Sequence, residues 1–155
     1  MLVLIISNMK NTSFIVLALL LVLGGCKKEE SVMEKDDRVI RNYLKDNDII
    51  DAFKDPSGVY IQHIKEGTGD SPSILAEVTV KYALYTLPTD EFVPQTEDPV
   101  TFKLSNLIEG WKIGIPYMKK GGEAYLYIPS TYAYGGTSSP LANKVLKFKI
   151  SLLDF

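Results

Sequence analysis

From Gly58 onward the chain repeats one pattern, apolar side chains at every second position in short runs separated by turn-forming residues. In Val78 to Tyr85 the apolar set is Val78, Val80, Tyr82 and Leu84, and in Val100 to Leu104 it is Val100, Phe102 and Leu104. Ala124, Leu126 and Ile128 repeat it, as do Leu146, Phe148, Ile150 and Leu152, with Lys147 and Lys149 turned the other way. A period of two puts alternate side chains on opposite faces, so these are strands with one buried and one wet face, the habit of antiparallel sheets. One short helical segment, Leu107 to Ile115, interrupts them, and Pro116 ends it because proline has no N–H to continue the helix. The packing expected for this order is an α+β fold, a single curved antiparallel sheet wrapped over one short helix.

The same parity brings three aromatic side chains together. Tyr82 and Phe148 share the inward faces of their strands with core residues, and Trp111 lies on the helix that those strands must cover. Taken alone, aromatics on an inner face read as core. Ahead of the strands, Ser31-Val32-Met33-Glu34 fits a capping box, and Val39, Ile40, Tyr43 and Leu44 recur at helical spacing. A helix is therefore expected from Met33 to Lys45, either packed on the strand domain or spacing it from a membrane. Asn47, Asp48, Pro56, Ser57 and Gly58 then break the chain before the first strand.

Several function classes are excluded by composition. The 155-residue chain has a formal charge of −2 and no basic patch with interleaved aromatics, which argues against nucleic acid as a partner. His63 is the only histidine and Cys26 the only cysteine, so no metal-ligand spacing and no intramolecular disulfide is available, and no cofactor is expected. His63 lies in a strand-like run and reads as structural or exposed. Gly67-Thr68-Gly69 is too short for a phosphate-cradling loop.

Between Gly110 and Gly136 the chain reads G-W-K-I-G-I-P-Y-M-K-K-G-G-E-A-Y-L-Y-I-P-S-T-Y-A-Y-G-G. Gly110-Trp111, Gly114, Met118, Gly121, Ala124, Ile128-Pro129 and Tyr132-Ala133-Tyr134-Gly135 fall in the order of the core motif of the FKBP-type peptidyl-prolyl isomerases, which this stretch resembles. The resemblance implies the same half-barrel over a short helix. It also implies isomerisation of Xaa-Pro bonds in a proline pocket formed by Tyr82, Phe92, Leu107, Ile108, Trp111, Tyr134 and Phe148. Trp111 would be the floor under the prolyl ring, and Tyr82, Phe92 and Phe148 the walls. Leu107-Ile108 would supply the backbone group for the substrate carbonyl, Tyr134 a hydroxyl for a further carbonyl, and Ala133 would complete the wall. The chain departs from the family pattern at Val93, where aspartate is usual, at Val100, and in two short loops, Val93 to Pro99 and Gly136 to Asn143. A catalytically weak or inactive peptide-binding module is thus the alternative expectation.

The N-terminus has its own pattern. Lys10 precedes an apolar run from Phe14 to Leu23 that stops at Leu23-Gly24-Gly25-Cys26. A charged start, a short apolar segment and small residues before the cut describe a signal peptide, because the run is too short to span a bilayer. It looks like a bacterial lipoprotein signal, which implies lipidation at Cys26; of the two candidate starts, Met1 and Met9, Met9-Lys10-Asn11 is the charged opening expected of such a signal. Residues 1–25 are then the signal, 26–56 a tether and N-terminal helix, and 57–155 the isomerase domain. Removing Lys10 with the signal takes the charge from −2 to −3. Lys27, Lys28, Glu29 and Glu30 read as a solvated tether. They also resemble surface-export signals of some Gram-negative lipoproteins, and the absence of aspartate at position 27 fits outer-membrane sorting. The expected product is a monomer, anchored by lipid in the cell envelope and acting on proline-containing exported clients.

Overall fold

The computed structural model describes residues 29–96 and 98–155, so Cys26 and the leader lie outside the described residues. Helix α1, Val32–Asp46, is followed by strands β1 (Phe53–Lys54), β2 (Tyr60–Lys65), β3 (Glu77–Leu87), β4 (Glu91–Val93) and β5 (Val100–Lys103). Helix α2 (Glu109–Gly114) and strands β6 (Glu123–Ile128) and β7 (Val145–Asp154) complete the order. All pairings between these strands are antiparallel, and they build a seven-stranded sheet in the order β1-β2-β6-β7-β3-β4, with β5 also paired to β3. This is the open sheet over a short helix expected from the period of two.

The inner face carries the core. Val78, Val80, Leu84, Leu126, Ile128, Leu146, Phe148, Ile150 and Leu152 are buried in one cluster with Trp111 and Ile115. Helix α2 lies against β6 closely enough that only glycine fits at its two contact positions. A Cβ at Gly110 would stand 2.3 Å from Ile128 Cγ2, and one at Gly114 would stand 2.6 Å from Leu126 Cδ1. Four residues apart, these glycines lie on one helix face, which explains the G-W-K-I-G run in physical terms. The α-helix stops at Gly114, and Pro116 sits in the 3-10 turn Ile115–Tyr117 that follows, as proline requires.

The outer face departs from expectation, because much of it is dry. Helix α1 starts with the capping box read from the sequence: the Ser31 hydroxyl accepts from Glu34 N at 3.2 Å, and Ser31 N donates to Glu34 Oε2 at 2.8 Å. Its face formed by Asp36, Ile40, Tyr43 and Leu44, at helical spacing, is buried. The last three join Tyr60, Leu87, Tyr127 and Val145 in a second apolar cluster on the outer side of the sheet. Of the two roles left open for this helix, packing is the one observed. Lys147, expected to point to water, does point away from the core but is only 6 % exposed. It is ion-paired with Asp90, donates to the Tyr43 hydroxyl at 2.9 Å, and lies over the rings of Tyr85, Tyr43 and Tyr125 at 4.4, 5.2 and 5.3 Å. Cation–π contacts of this kind strengthen when the ammonium is desolvated.

Candidate active site

The cavity forms where β3, β5, β7 and α2 meet. Trp111, 4 % exposed, comes from α2; Tyr82 and Leu84 come from β3, Phe102 from β5 and Phe148 from β7. Their placement follows from strand parity. Tyr82 is two residues from Leu84 and from Val80, and Phe148 pairs directly with Leu84 on one side and Leu126 on the other. Tyr82 and Phe148 both meet the Trp111 ring edge-on at 87°, with centroids 5.1 and 5.3 Å away, and Phe102 does so at 81° and 6.2 Å. Edge-to-face rings at this spacing are the geometry that aromatic quadrupoles favour.

The space enclosed is about 240 Å³ and is also lined by Gln95, Leu107, Ile108, Tyr134 and Leu141. Sites for drug-sized ligands run to roughly 300–1,000 Å³, so this one suits a single small ring and the group beside it. Ile108 caps the N-terminus of α2 in an extended conformation, and its carbonyl accepts from Trp111 N at 3.0 Å and Lys112 N at 3.3 Å. Trp111 Nε1 is buried and makes no hydrogen bond within the described residues.

Among the described residues, no carboxylate, imidazole or amine lines the cavity. The Tyr82 hydroxyl donates to Gln95 Oε1 at 3.0 Å. Burial, together with the nearby Tyr134 hydroxyl, pushes the Tyr82 phenol above its ordinary value, so it remains a neutral donor at physiological pH. Among the described residues no group of three or more potential ligands gathers to hold a metal ion. The site offers a largely apolar surface with a few neutral hydrogen-bonding groups, and among the described residues it holds no nucleophile with an adjacent base.

Of the residues expected at the site, Tyr82, Leu107, Ile108, Trp111, Tyr134 and Phe148 meet at this cavity. Ala133 packs against the same core from the loop before Tyr134. Phe92 does not join them. In the β3–β4 ladder Tyr85 opposes Phe92 and Leu84 opposes Val93, and directly opposed residues share a face. Phe92 is therefore on the outer face, 53 % exposed, with its ring 5.6 Å from Tyr85. Val93 takes the inward position and packs on the core. The ten-residue spacing from Tyr82 could not reveal this, because it leaves the register of a hairpin undetermined. Leu84 and Phe102, missed as lining residues, carried a usable signal in their inward parity. Gln95 and Leu141 lie in loops without period and carried none.

Residues 69–153 match the family model described as FKBP-type peptidyl-prolyl cis-trans isomerase. A probable FKBP-type isomerase FkpA of Neisseria meningitidis is 36% identical over 117 residues, covering 72% of this chain and 43% of that protein. FkpA of Escherichia coli is 33% identical over 102 residues, 63% of this chain and 38% of its own length. The chain thus spans less than half the length of these curated relatives. The crystal structure of Escherichia coli FkpA superposes with a TM-score of 0.67 at 28% identity, over 79% of this chain and 62% of that one. A peptidyl-prolyl isomerase structure from Pseudomonas syringae reaches 0.70 at 23% identity, over 84% of this chain and 98% of that one, which is a likeness of fold. A family match running from before β3 almost to the end of β7, over more than half the chain, takes in five of the seven strands, the short helix and the aromatic cavity on it: the chain belongs to the FKBP-type peptidyl-prolyl cis-trans isomerase family.

Proposed function

We propose that the chain is a peptidyl-prolyl cis-trans isomerase acting on Xaa-Pro bonds of exported polypeptides. The observation that carries this reading is the cavity of about 240 Å³ floored by Trp111 and walled by Tyr82, Phe102 and Phe148, with no carboxylate, imidazole or amine among the described residues that line it. Rotation about an amide must overcome about 18–20 kcal/mol because the twisted bond loses its resonance. No bond to a heavy atom is broken, so the need is for a surface that favours the twisted amide over both planar forms. Each 1.36 kcal/mol of such preference gives about tenfold in rate. In this reading the prolyl ring rests on Trp111, the Ile108 N–H donates to the carbonyl beside the proline, and the Tyr134 hydroxyl donates to a further carbonyl. Water is kept from the amide by the walls.

A slower binding module is the second reading, and the outward Phe92 favours it, since one expected aromatic wall is absent from the cavity. An exchange NMR or protease-coupled assay on a short Xaa-Pro peptide separates the two. Catalysed exchange supports the isomerase, and binding without exchange supports the module. Tyr134→Phe is expected to weaken peptide binding by about 0.5–1.5 kcal/mol, the net worth of one hydrogen bond, with little change in thermal stability. Unchanged affinity would remove Tyr134 from the site.

The Leu23-Gly24-Gly25-Cys26 segment supports a lipid anchor in a Gram-negative cell envelope, with residues 26–56 as tether and helix and 57–155 as the isomerase domain. Among the described residues no helix is long and apolar enough to cross a membrane. Acyl chains contribute about 0.8 kcal/mol per buried methylene, and two or more give stable anchoring. Cys26→Ser is expected to abolish metabolic acyl labelling and release the chain from the membrane fraction. Labelling that persists in this variant rules out Cys26 as the lipid site.

A further inference from the structure

Helix α1 lies before the family match, yet it sends one polar side chain into the loop that presents Tyr134. Asp36 occupies a core-facing position four residues before Ile40 and is 4 % exposed. Its Oδ2 accepts from Ser130 N at 2.8 Å and from the Ser130 hydroxyl at 2.6 Å. Ser130, itself 1 % exposed, is the hub of the loop, because its carbonyl accepts from Ala133 N at 3.1 Å and from Gly135 N at 2.7 Å. These two amides flank Tyr134, whose side chain lines the cavity.

Hydrogen bonds to a charged acceptor are stronger and shorter than neutral ones, and a buried carboxylate without its donors is strongly disfavoured. One carboxylate oxygen that takes both donors of Ser130 therefore fixes the residue in orientation as well as in position. The loop turns on that point, so its tip inherits the constraint. The sheet alone does not supply it, since Pro129 follows the last residue of β6 and the chain leaves the ladder there.

We propose that Asp36 is a positioning residue for the substrate cavity: from the N-terminal helix it holds Ser130, and through Ser130 the loop that carries Tyr134. The helix is then a part of the binding site, in addition to any part it has in linking the domain to its anchor. This inference rests on the reading of the cavity as the Xaa-Pro site.

The test uses the full chain with Asp36→Ala, Asp36→Asn, Ser130→Ala and the Asp36→Ala/Ser130→Ala double variant. Leu44→Ala is the control, as Leu44 is buried in the apolar contact of the same helix and is absent from the polar contact with Ser130. Amide hydrogen exchange at Ala133 and Gly135 is read beside KM and kcat for a short Xaa-Pro peptide. Asp36→Ala is expected to speed exchange at both amides about tenfold and to raise KM by a similar factor, with a smaller change in kcat. Asp36→Asn, which keeps the volume and one acceptor, recovers part of the loss and serves if the alanine variant does not fold. The double variant is no worse than Asp36→Ala, because the two residues act as one contact. Leu44→Ala lowers Tm while leaving KM and the two amides as in the wild type.

Two outcomes overturn the proposal. One is unchanged exchange at Ala133 and Gly135 in folded Asp36 variants. The other is a rise of KM in Leu44→Ala as large as in Asp36→Ala, which would reduce Asp36 to a stability role. Absence of isomerase activity in the wild type counts against the isomerase reading, and exchange together with peptide titration of Trp111 fluorescence, from the only tryptophan, still decides the inference.

Discussion

Phe148→Ala is expected to destabilise the chain by about 3–5 kcal/mol, the range for removing a buried aromatic ring from a core. The ring is 3 % exposed, sits on β7 between Leu84 and Leu126, and supports both Trp111 and Tyr82, so a cavity left there cannot be filled by one neighbour moving in. That loss is comparable to much of a small domain's total stability of about 5–15 kcal/mol. Peptide binding should fall with it, because the same ring is a wall of the cavity. Urea unfolding followed through Trp111 measures the change. A variant within about 1 kcal/mol of the wild type would contradict the inward placement of Phe148, since core truncations of this size cost more.

Asp90→Ala should be costly for a different reason. Burial by itself would lower the Lys147 pKa, but hydrogen bonds and charge from Asp90 and the Tyr43 hydroxyl outweigh it and hold the ammonium above its ordinary value. A raised native pKa means that the stabilisation is complete at neutral pH and is lost only as pH rises through that native value. Removing Asp90 leaves a desolvated ammonium with three tyrosine rings and one hydroxyl. Breaking a buried ion pair from one side costs about 3–5 kcal/mol, and the partial exposure of Asp90 puts this case at or below the lower end. Lys147→Met removes the charge together with its need for a partner, so it should be much closer to neutral. Equal losses in the two variants, measured by chemical denaturation, would mean that the unpaired charge is not what matters here.

The inner face of the sheet was legible because the period of two is enforced at every strand by burial. Val78, Val80 and Leu84 of β3, and Leu146 to Leu152 of β7, are buried as their alternation requires. The outer face was not, because a second partner can bury it without changing the alternation. Tyr60, Tyr127 and Lys147 occupy wet-face positions, yet all three are buried, the tyrosines in the cluster with Ile40, Tyr43 and Leu44 and Lys147 among Tyr43, Tyr85 and Tyr125. Helix α1 could be read to within a residue at each end from its capping box and spacing, but not what its apolar face would meet. Asp36 had the spacing of that buried face and was passed over, since an acidic residue there reads as solvated until its donors are seen.

At the site the motif residues were legible, while the hairpin register and the loop contacts were not. Phe92 and Val93 exchange faces on a shift of one residue, and nothing in the spacing between Tyr82 and Phe92 fixes the turn. That turn holds Asp90 at φ 56°, a left-handed position that aspartate tolerates better than most residues. Gln95 meets Tyr82 across a loop, and such a contact depends on three-dimensional closure rather than on period.

The sheet's two borders are short. On one side stands β1, with two residues; on the other, the long β3 is shared between β4, with three, and β5, with four. Lys54, Glu91 and Lys103 put charge on these outer strands. An unpaired strand border is a template on which another extended chain can add itself, and brevity and charge are what discourage it. On the proposed reading, in which the substrates are other polypeptides, that hazard would arise at every encounter. On that reading, such borders would let it hold a proline in its cavity without lending its backbone as the seed of a sheet shared with the chains it handles.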